Sequence, residues 1–146
     1  MDFFSSMRVS ASGLEAQQTR MNTISSNIAN AETTQGTDGT GPYKRKDAVF
    51  GAVTDRESFG EILDSELQEH VQGVQVMDVI EDQAPPRLVY NPSHPQANVD
   101  GYVAMPNVNT VQEMANMIQA QRSYEANVTA MGAAKAMAQK ALEISR

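Results

Sequence analysis

The stretch SASGLEAQQTRMNTISSNIANAETT, residues 10–34, has apolar residues at helical spacing but very few large side chains. Starting just before this stretch, an apolar residue recurs every seven positions: Met7, Leu14, Met21 and Ile28. Ile24 lies beside this line. A narrow apolar line of this kind is typical of an amphipathic helix that packs along a coiled-coil-like seam. The sequence therefore predicts an N-terminal helix over about residues 4–28.

A second helical pattern fills the C-terminal end, over about residues 110–144. Two lines of seven-residue spacing run along it, widened by Val111 and Ile118: one has Met117, Tyr124, Met131 and Ala138, and the other has Met114, Gln121, Val128, Lys135 and Leu142. Thr110 and Glu113 fit a capping box, and Asn109 is another possible cap. Alanine is dense in this segment, and small residues let helices approach closely but bury little area each.

The two terminal helices are natural partners for each other. Because each has only a thin apolar stripe, burial at roughly 25 cal/mol per Å² would stabilise an isolated pair weakly. The sequence therefore predicts additional helical neighbours, and a plain helical hairpin on one domain is the alternative. Gly13, which costs a helix roughly 1 kcal/mol relative to Ala, either lets another backbone come close or is merely tolerated.

The middle of the chain has the character of short strands joined by loops. The strand-like segments are DAVFGAV (47–53), GVQVMDVIED (73–82), Leu88 to Tyr90 and YVAM (102–105). Asp100-Gly101 is a hairpin-turn signal, and FGEILDSELQEHV (59–71) is mixed, with helical turns possible.

These patterns predict an α+β fold in three parts: an N-terminal helix (1–31), a small, mostly β middle module with loops (32–104) and a C-terminal helix (105–146). The middle module carries five basic and thirteen acidic residues, a net charge of −8, whereas the N-terminal part is neutral and the C-terminal part is +1. Near-neutral ends can pack together while an acidic middle stays solvated, although ordinary surface charge is the alternative.

No pattern points to a catalytic, cofactor-binding or metal site. The chain has no cysteine, which excludes disulfides and cysteine-ligated zinc. His70 and His94 lack the spacing of a zinc site. The loop TTQGTDGTGPYKRK (33–46) has the glycine spacing of a phosphate loop, but Pro42 and Tyr43 stand where Lys and Ser/Thr are required.

Composition argues against two classes of partner. The net charge of −7 disfavours nucleic acid. No stretch approaches the roughly 20 apolar residues that cross a bilayer, so direct membrane insertion is not expected. The first residues have no basic start followed by an apolar run, so we expect no cleaved Sec signal.

Two signatures, one at each end, resemble a known family. Residues 10–34 are similar to the N-terminal signature of the axial proteins of the bacterial flagellum, which comprise rod, hook and hook-associated proteins. NVNTVQEMANMIQAQRSYEANV (107–128) resembles the C-terminal partner signature, in which Asn-Val-Asn leads into the helix. The segments GPYKRKDAVF (41–50) and ANVDGYVAMPNVN (97–109) narrow the resemblance to proximal-rod proteins of the basal body. It covers nearly the whole chain, and only the Thr/Gly-rich loop 33–41 departs mildly.

The resemblance implies a structural subunit, not an enzyme, that assembles helically through its terminal helices into the hollow drive shaft that transmits motor torque. The two helices would form a coiled-coil-like layer, with the middle module facing outward. The implied partners are other copies of the chain, sister rod proteins and the flagellar type III export apparatus. That apparatus would deliver the chain to the rod in the periplasmic space, and no cofactor is implied.

The helical stripes and this resemblance together predict the residues that pack subunits: Met7, Leu14, Met21, Ile24, Asn27, Ile28, Asn30, Met114, Met117, Ile118, Tyr124, Val128, Met131 and Leu142. Asn27 and Asn30 would form side-chain hydrogen bonds between closely packed helices, or end the helix at Asn30. The alternative is that both face solvent at a fraying helix end. We expect Asn27→Leu to weaken assembly more than folding, and the helices of the isolated chain to be partly disordered.

Three other functions stay open at this point. Another rod or hook-type protein of the same family would share the signatures, but a middle of about 70 residues is short for the distal-rod or hook members. A cytoplasmic coiled-coil adaptor or export chaperone would explain the helices but not the β-rich middle. An enzyme is the weakest alternative because no site is evident.

Overall fold

The structure, a computed structural model, describes residues 3–36, 41–53 and 73–144. Its elements in chain order are α1 (Phe3–Ala29), β1 (Lys46–Ala52), β2 (Val74–Glu81), β3 (Arg87–Tyr90), β4 (Tyr102–Met105) and α2 (Thr110–Ile144). The α+β class and all four predicted strands are confirmed. The mixed segment 59–71, which includes His70, lies outside the described residues.

The two helices pack against each other along α1 and run antiparallel. Asn27 of α1 bonds Glu113 of α2, and Gly13 faces Asn127, so residue numbers rise along one helix as they fall along the other. With 27 and 35 residues the helices are about 40 and 52 Å long at 1.5 Å per residue.

The start of α2 and the end of α1, which both lie in the signature stretches, have specific polar contacts. Asn109 caps α2, because its Oδ1 accepts hydrogen bonds from the N–H groups of Val111 (3.1 Å) and Gln112 (3.3 Å). The capping box is therefore wrong: Thr110 is the first residue of α2 rather than its cap. Asn30 follows the last residue of α1, and its Nδ2 donates to the Ser26 carbonyl at 2.9 Å, which agrees with a helix end at this asparagine.

The strands form two separate antiparallel pairs, β1 with β2 and β3 with β4. The first pair has a register shift between Val49 and Phe50. It lies against α1, since Ser12 Oγ accepts a hydrogen bond from the Val74 N–H at 3.1 Å and the Arg20 guanidinium lies 5.9 Å from the Phe50 ring centroid.

The connection within the second pair differs from the tight hairpin predicted at Asp100-Gly101. Residues 91–101 connect β3 to β4, so the connection is a long loop rather than a two-residue turn. Asp100-Gly101 instead closes a turn just before β4, where the Gly101 N–H donates to the Asn98 carbonyl at 2.9 Å. Gly101 has φ of +81°, a conformation that favours glycine.

Candidate subunit-packing surface

The contact between α1 and α2, here called the inner seam, is lined at its centre by small side chains. Ala16, Ala120 and Ala134 are all buried along it. Gly13 also lies in the seam, where a Cβ would come within 2.8 Å of Asn127 Nδ2. Gly13 therefore accommodates a neighbouring side chain, rather than the backbone that its position in the helix had suggested.

Most of the predicted packing residues flank this seam. On α1, Ile24 is buried, and Met7, Leu14, Met21 and Ile28 are partly buried. On α2, Met117, Tyr124 and Met131 are likewise partly buried. These residues are already covered in part within the chain.

The remaining predicted residues of α2 are exposed. They belong to one line of exposed side chains, here called the outer line: Val111, Met114, Ile118, Gln121, Val128, Lys135 and Leu142. Its five apolar members are between 47% and 76% exposed. The structure thus separates the two seven-residue patterns of α2 into a line that faces its own chain and a line that does not.

Asn27 differs from the other predicted packing residues. It is fully buried, and both polar atoms of its side chain form hydrogen bonds within the chain. Its Nδ2 donates to the Lys46 carbonyl (2.7 Å) and to Glu113 Oε2 (3.1 Å). Its Oδ1 accepts from the Lys46 N–H (2.9 Å) and from the Tyr43 hydroxyl (2.9 Å). These four bonds fill the two donor and two acceptor positions of an amide.

Glu113 is the other buried polar residue of the seam. It is 1% exposed, and its Oε1 accepts a hydrogen bond from Arg45 Nε at 2.9 Å. Burial lowers the pKa of Arg45, but the hydrogen bond and charge of Glu113, with the charge of Asp47, outweigh it and raise the pKa above its usual value. The guanidinium therefore stays charged beside the buried carboxylate.

We call Asn27, Arg45 and Glu113 the polar cluster. It joins α1, α2 and the residue that precedes β1, and the Arg45 N–H extends it by donating to Asn107 Oδ1 at 3.2 Å. Sequence reasoning placed Asn27 at a helix contact, but missed the other two residues. A signal was present: Glu113 shares a seven-residue line with Ala120 and Ala134, which marks it as facing the seam.

The described residues contain no group of three or more His, Cys, Asp or Glu side chains that could hold a metal ion. His94 lies there in a turn, where its Nδ1 accepts a hydrogen bond from the Gln96 N–H at 3.2 Å. Within the same ranges, neither helix is apolar enough along its length to cross a membrane.

Comparison with known proteins identifies the family. Residues 7–36 match the family described as "Flagella basal body rod protein", and residues 99–144 match "Flagellar basal body rod FlgEFG protein C-terminal". Over 152 residues, covering 100% of both chains, the sequence is 45% identical to the flagellar basal-body rod protein FlgC of Bacillus subtilis. The chain belongs to the FlgC family of flagellar basal-body rod proteins.

Other members of the family are similarly related. The FlgC protein of Borreliella burgdorferi is 41% identical over 99% of this chain and 98% of its own length. That of Salmonella typhimurium is 41% identical over 94% of each. The two family matches cover most of α1 and all of α2, so they contain the inner seam, the outer line and two of the three residues of the polar cluster.

Proposed function

We propose that the chain is a structural, non-enzymatic subunit of the proximal rod, and that it assembles helically to build the hollow shaft that transmits torque. The observation that carries this proposal is the outer line of α2. Five apolar side chains stand exposed along one side of a helix that packs on α1 along another side. Apolar side chains aligned in this way are characteristic of a surface that a partner covers.

The occupants of the outer line are, in this proposal, helices of neighbouring subunits, either copies of this chain or sister rod proteins. Its composition supports helix-to-helix packing, because Val111, Met114 and Ile118 repeat at intervals of three and four residues. Methionine suits a surface that meets slightly different neighbours, since its side chain is flexible and polarizable. The outer line would therefore serve both kinds of contact.

We further propose that the chain reaches the periplasmic space through the flagellar type III export apparatus. Membership of the rod family supports this route, because rod components assemble outside the cytoplasm in the arrangement that the sequence resemblance implies. The absence of cysteine supports it as well, since no disulfide can hinder an unfolded chain or form on arrival in an oxidising compartment.

The test compares two adjacent exposed residues of α2 in a strain that lacks its own copy of the gene. Ile118→Asp places a charge in the outer line, and Gln119→Asp places the same charge on the neighbouring side of the helix. Because both positions are exposed, neither change should greatly alter the stability of the monomer. We expect Ile118→Asp to abolish recovery of the chain in purified basal bodies and to abolish motility, and Gln119→Asp to preserve both.

Periplasmic extracts separate assembly from export in the same strains. The proposal predicts that the Ile118→Asp chain is present in the periplasm although it is missing from basal bodies. If Ile118→Asp enters basal bodies as well as Gln119→Asp does, the outer line is not the packing surface. If the wild-type chain instead stays in the cytosol of motile cells, the rod function itself is wrong, and an adaptor or export chaperone becomes the better reading.

A further inference from the structure

The polar cluster places charged and polar side chains in a buried setting, which is weak evidence for a contribution to stability. Glu113 and Asn27 are almost completely buried, and Arg45 is 23% exposed. Removing a carboxylate and a guanidinium from water costs free energy that their attraction repays only in part, and well-packed apolar replacements of buried ion pairs are often neutral or stabilising. The cluster therefore calls for an explanation other than stability.

The rest of the inner seam is poorly suited to define how far α2 is displaced along α1. Its buried residues are Gly13, three alanines and one larger side chain, Ile24, and its flanks are rich in methionine. Small side chains leave smooth helix surfaces, and methionine adapts to different neighbours. Contacts of this kind tolerate a slip of one helical turn, whereas a buried polar residue can specify a single register.

The cluster has the geometry that a single register requires. Asn27 bonds both the N–H and the carbonyl of Lys46, so it is held against the start of β1, and it also bonds the Glu113 carboxylate of α2. A slip of one turn would move Glu113 by about 5.4 Å along the seam. That displacement would take Glu113 away from the Asn27 amide and the Arg45 guanidinium, and would leave a buried carboxylate without these two partners.

We propose that the polar cluster is a register lock: it sets the axial position of α2 on α1 and fastens the start of β1 to both helices. The lock determines where the outer line lies relative to the β1–β2 pair. A subunit in which this position is fixed presents one constant surface. The proposal concerns the isolated chain, so it stands or falls independently of the proposed rod function.

The test uses pairs of introduced cysteines, which are the only thiols because the chain has none of its own. Gly13→Cys with Asn127→Cys reports the observed register, since Asn127 Cγ lies 3.3 Å from the Cβ position of residue 13, close to what a disulfide requires. Gly13→Cys with Ser123→Cys, or with Met131→Cys, reports a slip of one turn in either direction. Disulfide yield is measured in dilute monomer under mild oxidation.

Each pair is placed in three backgrounds: the wild type, the apolar variant Asn27→Leu/Arg45→Met/Glu113→Leu, and a control. The control, Lys140→Met/Glu143→Leu, removes an ion pair of α2 whose side chains are 79% and 70% exposed. In the wild type and the control we expect the 13–127 pair to cross-link at least about tenfold more than the slipped pairs. In the apolar variant we expect helical content to persist and a slipped pair to approach the yield of the 13–127 pair.

An apolar variant that is helical but cross-links only the 13–127 pair would overturn the proposal, as would a wild type without preference for that pair. If the apolar variant does not fold, Glu113→Gln takes its place, because it keeps the shape of the side chain and removes its charge. The lock then predicts more slipped cross-linking than in the wild type, and an unchanged yield refutes it.

Discussion

Replacing Asn27 by alanine should destabilise the folded monomer far more than replacing Asn30, although the two asparagines stand three residues apart in the same signature. Asn27 is fully buried and makes four hydrogen bonds, which reach Lys46, Tyr43 and Glu113. Among the residues that the structure describes, the Asn30 side chain bonds only within its own turn, to the Ser26 carbonyl at 2.9 Å and to the Thr33 hydroxyl at 3.2 Å.

The magnitude follows from those bonds. A neutral hydrogen bond contributes a net of about 1 kcal/mol, and one to a charged group contributes about 1.5–3 kcal/mol. Water entering at the partly buried Tyr43 and Lys46 would recover some of the loss, so we expect Asn27→Ala to lower the free energy of unfolding by about 3 kcal/mol. Asn30→Ala should cost less than about 1 kcal/mol, because its partners stay accessible to water.

The assay is urea denaturation of the purified monomer followed by far-UV circular dichroism, with the free energy taken from linear extrapolation. The same difference should appear as a fall in Tm of about 6–12 °C for Asn27→Ala. If the two variants agree within about 0.5 kcal/mol, the polar cluster does not support the fold as described. Because the four hydrogen bonds of Asn27 lie within one chain, we expect Asn27→Leu to weaken the folding of the chain more than the sequence alone suggested, and its assembly less.

Two further predictions concern the helices. Gly132→Ala should stabilise the monomer by about 0.8–1 kcal/mol in thermal or urea denaturation, because residue 132 lies inside α2 with open space around its Cβ position and alanine is the better helix former. Gly13→Ala should yield less than half of that gain, since its Cβ would come within 2.8 Å of Asn127 Nδ2, and equal gains would contradict the close packing at Gly13. Amide hydrogen exchange of the monomer should be fastest in the last turns of α2, because no residue between Lys135 and Glu143 is buried among those that the structure describes. Uniform protection from Glu113 to Glu143 would argue against a helix end that depends on neighbouring subunits.

The sequence alone determined the secondary structure closely, because that information is local. The seven-residue apolar lines predicted α2 over its observed range, and the alternating segments predicted each strand in the described part of the middle. It did not decide which of the two lines of α2 faces α1. Both carry apolar residues at the same spacing, although Gln121 and Lys135 interrupt the second, and the position of α1 decides that Met117 and Tyr124 are partly covered while Met114 and Ile118 are exposed.

The polar cluster shows the limit most clearly. Asn27 and Glu113 are 86 positions apart, and Arg45 lies in a loop segment whose sequence has no periodicity. From sequence, Glu113 fits a capping box and Asn27 a hydrogen bond between packed helices, and nothing indicates a role for Arg45. Only the tertiary structure brings the three together, because burial makes their hydrogen bonds mutually dependent, and burial is set by the packing of the whole chain.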